Sequence, residues 1–164
     1  HTKQYNYMYT FMITCYILML INLINLTLTG ASGYWDFSIL GANHTRFALF
    51  TVLIFTITET VVMYFFITTG KAIKNAIESG LGDNDLWKRE RKLKMILFPQ
   101  LMLTIFLVGG WFIHIGAVEN QISHYWIHHV LFLVAYIHHL WLLIVKNNSF
   151  KEQISIISDL KPNT

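Results

Sequence analysis

In a chain of 164 residues with 54% hydrophobic and only 13% charged side chains, the mean hydropathy of +0.46 is too high for an ordinary water-soluble domain. The length suits a single domain, and the small net charge of +3 gives no reason to expect a nucleic-acid partner. Cys15, the one cysteine, lies in an apolar run, which excludes a disulfide framework and a cysteine metal centre.

His1 is not an initiator methionine, so the expectation is that something before it was cleaved or is missing. The stretch that follows resembles a signal peptide in its weakly basic start and apolar core. It has no A-x-A-like site and is read as a retained span, residues 7–29. Asn22 and Asn25 are expected to hydrogen-bond between helices, and Gly30 and Gly33 to break the span. A second span covers residues 44–70, with Asn43 as its N-cap and Glu59 as its only acidic residue; its helical spacing continues toward Ser79. Gly80 and Gly82 stop that helix, and Asp83 to Asp85 cap the next. The third span, 95–118, contains Pro99 and the Gly109-Gly110 pair, which permit a kink and close contact or bending. The fourth, 122–145, is followed by Phe150, Ile154, Ile157 and Leu160 at helical spacing, read as a short amphipathic helix over 150–161 on the membrane surface or a partner. The fold expected is therefore an all-α, four-helix integral-membrane bundle.

Lysine and arginine set the orientation. The segment between spans two and three holds Lys71, Lys74, Lys88, Arg89, Arg91, Lys92 and Lys94, and Lys3, Lys146, Lys151 and Lys161 fall on the same side. Only Arg46 lies opposite, so both termini are expected on the cytoplasmic side of a bacterial or archaeal inner membrane, or the equivalent side of an organelle inner membrane.

The histidines are the candidate chemistry. At about 100° per residue, His124, His128, His138 and His139 share roughly 100° of arc, with His129 off that face. Polar groups are costly at membrane depth, so this face should look into the bundle. His44, His114, His124 and His128 fall at the outer end and are the expected ligands of haem b or of Cu, Fe or Zn, because neutral imidazole suits those metals. His138, with His139 beside it, lies about 21 Å further in than His124, and Glu59 about 22 Å further in than His44, by 1.5 Å per residue. They are expected to pair as a proton relay or an inner ligand site.

His124 and His138, 14 apart on one helix, resemble the spacing by which di-haem b-type cytochromes stack two haems. The second helix offers His44 and Glu59 instead of a second spaced pair, so the resemblance implies at most one ordinary bis-His haem. His124-Tyr-Trp-Ile-His128-His129 resembles one histidine box of membrane desaturases and hydroxylases, implying a metal-dependent oxidase or hydroxylase. Met63 to Lys71, together with His139-Leu-Trp141, resembles a group of small four-span bacterial membrane proteins, a likeness that implies no activity.

Thr69-Gly70-Lys71 lacks the upstream glycine of a phosphate loop, and neither G-x-G-x-x-G nor G-x-S-x-G occurs, so no nucleotide partner is expected. The leading expectation is a small membrane subunit of a larger complex, binding haem or a metal through its outer histidines and serving electron or proton transfer. The alternative is a cofactor-free accessory subunit that stabilises such a complex.

Overall fold

The structure is a computed structural model that describes the backbone of residues 2–161 and side chains from Asn6 onward. His1, on which the upstream expectation rests, lies outside the described residues. Four helices follow one another up and down: α1 (Thr2–Trp35), α2 (His44–Glu78), α3 (Asn84–Glu119) and α4 (Tyr125–Ser158). All four are long and apolar enough to cross a membrane. At 1.5 Å per residue each measures about 50 Å, against about 30 Å of bilayer hydrocarbon, so the helices overshoot the apolar layer. Both ends of the described chain meet the α2–α3 turn at one end of the bundle, called the basic end below; the α1–α2 and α3–α4 turns form the histidine end.

The helix boundaries have local causes. Asn43 caps α2 by accepting from the backbone N–H of Arg46 at 3.0 Å, and Asp83 caps α3 by accepting from Asp85 and Leu86 at 3.1 Å each. Gly80 and Gly82 turn the chain at φ values of 84° and 92°, where a side chain would be strained. Pro99 sits inside an uninterrupted α3.

Two expectations are corrected. Gly30 and Gly33 do not end the first helix, which runs on to Trp35. A Cβ at Gly30 would meet the ring of Phe132, and one at Gly33 would come within 2.8 Å of the His44 ring, so these glycines admit neighbouring side chains rather than break the chain. The separate amphipathic tail is also absent. No breaker follows Val145, and α4 continues to Ser158, packing its last turns on α2 and α3.

Burial follows the three-and-four spacing of helix faces. In α4 the buried positions are His128, Phe132, Ala135, His139, Leu142, Lys146, Ser149, Phe150, Gln153 and Ile156. The opposite faces carry exposed Ile13, Leu20, Leu53, Phe106, Ile113 and Ile137, an apolar exterior that fits a lipid bilayer. Inside, one apolar cluster around Phe55, Val108, Trp111 and Phe132 lies toward the histidine end. A second around Phe65, Phe66, Leu97 and Phe150 lies toward the basic end. Ile73, Leu86 and Ile156 close that end. There Arg89, ahead of the apolar part of α3, donates to Glu152 and Asp159 at 2.8 Å each and to Ser155 at 3.0 Å. The hydrogen bonds from Arg89 to Glu152 and Asp159 push its pKa further above the usual arginine value.

Candidate functional site

Midway along the bundle α2 presents Glu59 and α4 presents Lys146, both fully buried, and the ammonium donates to Glu59 Oε1. The helix phase that buries Phe55, Val62 and Phe66 carries Glu59 inward with them, and the phase that buries His139 and Leu142 does the same for Lys146. Each side chain is held where an unpaired charge would be severely unfavourable, so each stabilises the other's ionised form. This pairing replaces the expected one with histidine. His139 is fully buried with its ring 5.2 Å from that of Phe55, and neither ring nitrogen has a hydrogen-bond partner. His138 points toward α3, where its Nε2 bonds Gln100 Oε1 at 3.1 Å. Asn22 is buried on α1 without the interhelical bond expected of it.

A second polar level lies toward the basic end. Gln153 donates to Thr69 at 2.8 Å, and the fully buried Glu90 pairs with Lys94 at 2.8 Å. The pair lies over Gly70, where a Cβ would collide with both Lys94 Nζ and Glu90 Oε1.

At the histidine end three of the four expected ligands converge, one from each of three helices. The buried ring of His128 stacks on His114 at 5.9 Å between centroids and meets His44 edge-on at 6.1 Å. Each ring already has a partner for one nitrogen: Trp111 donates to His128 Nε2 at 3.1 Å, Ser123 bonds His114 Nε2 at 2.8 Å, and Ser32 bonds His44 Nδ1 at 3.1 Å. The Nδ1 atoms of His114 and His128 remain buried without partners. His124 is exposed where α4 starts and is not part of the cluster. His129 stacks on Tyr34 at 4.9 Å, and with His124 exposed the three histidines of the expected box do not face one centre. Among the described residues no three His, Cys, Asp or Glu side chains are grouped as a metal site requires.

A space bordered by His44, His128 and His129 together with Gly30, Gly33 and Phe132 is about 10 Å³. That is roughly the minimum for one water molecule, so it admits a water or an ion and no porphyrin. A cavity of about 390 Å³ opens near the basic end beside Phe11, Thr68, Ile73 and Leu160. Apart from Tyr7 and two threonines its lining is apolar.

The sequence places Lys146 only among the charges that set the orientation and does not single out Trp111, Glu90 or Gln153. Their signal was helical phase: all four recur at three- and four-residue steps with the apolar residues of their helices.

No known protein family matches the chain, and no curated protein or solved structure does. Function therefore rests on the geometry.

Proposed function

We propose that the chain is a small integral-membrane subunit of a larger membrane complex, in which the Glu59–Lys146 pair takes up and releases a proton in support of that complex's electron or proton transfer. The observation that carries this reading is the complete burial of the pair midway along helices long enough to span a bilayer. Ionisable groups at that depth are expensive and are normally kept for a task. The chemistry available is simple. A proton passing from Nζ to Oε1 neutralises both partners, and a proton arriving at the free Oε2 leaves a neutral carboxyl beside an ammonium. The two groups titrate as one unit.

Infrared titration of the protein in lipid between about pH 5 and pH 9 tests this. The expected result is a protonated-carboxyl band that grows as pH falls and is missing in Glu59→Gln. A carboxylate that stays ionised throughout would make the pair a clasp and the chain a cofactor-free accessory subunit.

The free Nδ1 atoms of His114 and His128 favour a second reading, a copper, iron or zinc ion at the histidine end. These two nitrogens supply two ligands, and the remaining positions fall to water, to a turned His44 or to a partner subunit. Haem b does not fit this packing. Elemental analysis should then find roughly one metal per chain, lost in His128→Ala. Background levels in the unaltered protein would remove this reading.

A further inference from the structure

Every helix sends a buried polar side chain to one level in the middle of the bundle. These are Asn22 on α1, Glu59 on α2, Thr104 on α3 and His139 on α4, none with any exposed surface. Their common level follows from neighbouring contacts. Thr29 touches Thr51 at 2.7 Å, so in antiparallel helices Asn22 comes level with the turn that ends at Glu59. Thr45 touches Glu119 at 2.7 Å across antiparallel α2 and α3, so Thr104, fifteen residues back along α3, comes level with Thr60, next to Glu59. The Phe55–His139 ring contact puts His139 about one turn from Glu59.

What distinguishes this level is how little of its polarity is satisfied. Beyond the Lys146–Glu59 hydrogen bond, six atoms lack partners: both amide atoms of Asn22, Glu59 Oε2, Thr104 Oγ1 and both ring nitrogens of His139. The neighbouring Thr58 hydroxyl is not among them, because it donates back to the Ile54 carbonyl. Buried polar atoms in folded proteins are almost always paired with protein or with water, and six dry ones at one level exceed what a marginally stable fold tolerates.

We infer that this level is an internal hydration site, where bound water bridges Asn22, Thr104 and His139 to the free oxygen of Glu59. The donor set selects the ligand. Lys146 disfavours a cation, Glu59 disfavours an anion, and an unpartnered amide needs a neighbour that both donates and accepts. Water meets all of these requirements, with two donors and two acceptors per molecule. The site stands whether or not Glu59 changes protonation. Where it does, the water is the route between the carboxyl group and His139.

Hydroxyl-radical footprinting of the intact protein in lipid, with radicals generated from water inside the sample, reads this directly. His139, sealed from bulk solvent, should be oxidised several-fold faster than Phe66 and Phe150, which are equally buried in the apolar cluster beside it, after correction for intrinsic reactivity. Asn22→Leu combined with Thr104→Val should remove that excess. Oxidation of His139 at the rate of Phe66 in the unaltered protein would overturn the inference, as would an excess that survives both substitutions. Neither outcome depends on the carboxyl titration above, so the two readings fail separately.

Discussion

The middle level and the histidine end hold comparable numbers of polar side chains and treat them in opposite ways. At the histidine end the rings stack on one another and on Trp111, and each of His44, His114 and His128 has a serine or tryptophan partner. Only the Nδ1 atoms of His114 and His128 are left buried without partners among these three rings. In the middle, one carboxylate and one ammonium satisfy each other only in part, and the amide, hydroxyl and imidazole around them have nothing. On the reading proposed above, the density of histidines does not locate the chemistry. Unmet hydrogen-bonding capacity does, because that is where a proton or a water molecule gains most by arriving.

The comparison is most exposed at the ion pair. Glu59→Gln or Lys146→Met alone leaves a buried charge without its partner and should cost about 3–5 kcal/mol. The double variant should recover nearly all of that, since burying two neutral groups removes the desolvation penalty. Thermal denaturation in lipid or detergent measures the cycle, and single variants as stable as the parent would mean that water already reaches the pair freely. At the histidine end the same logic predicts less. His128→Phe keeps the stacking but strands the Trp111 N–H, at a cost of about 1–3 kcal/mol, with no double-variant rescue needed beyond Trp111→Phe.

Glycines divide along similar lines. Gly30→Ala drives a methyl group into the Phe132 ring and should cost about 1–3 kcal/mol, whereas a methyl at Gly109 meets nothing and should be neutral or slightly stabilising through helix propensity. Equal effects of the two substitutions, measured as shifts in melting temperature, would show that the α1–α4 seam has room to move.

How much of this was legible in the sequence depended on the physics behind each feature. Hydropathy gave the four helices, and the Asn43 and Asp83 caps were readable because a cap is a local, side-chain-to-backbone event. Gly30 and Gly33 were misread because a glycine that breaks a helix and one that makes room for a neighbour look alike until the neighbour is known. Lys146 was misplaced because counting charges at the end of an apolar run ignores phase, and its phase is that of Leu142 and His139. The convergence of His44, His114 and His128 was anticipated from their shared end, but His124 was not separable from them. One residue before the helix starts, its direction follows the turn and not the 100° step.

The smallest effect separates the two kinds of ion pair in this chain. Arg89 binds Glu152 and Asp159 at the basic end with its side chain 37% exposed, in contrast to the sealed Glu59–Lys146 pair. Exposed pairs contribute about 0–1 kcal/mol, and the geometry here, three hydrogen bonds from one planar guanidinium, favours the top of that range. Arg89→Ala should therefore cost about 1 kcal/mol, and most of that difference should vanish on raising salt from about 0.1 to 1 M, where the screening length falls to about 3 Å. Salt ions do not enter an interior sealed from bulk solvent, so the deficit of Lys146→Met should hardly change over the same range. If the two deficits shrink together, the middle of the bundle is open to bulk electrolyte, and the contrast between a sealed pair with a few bound waters and an ordinary surface bridge disappears.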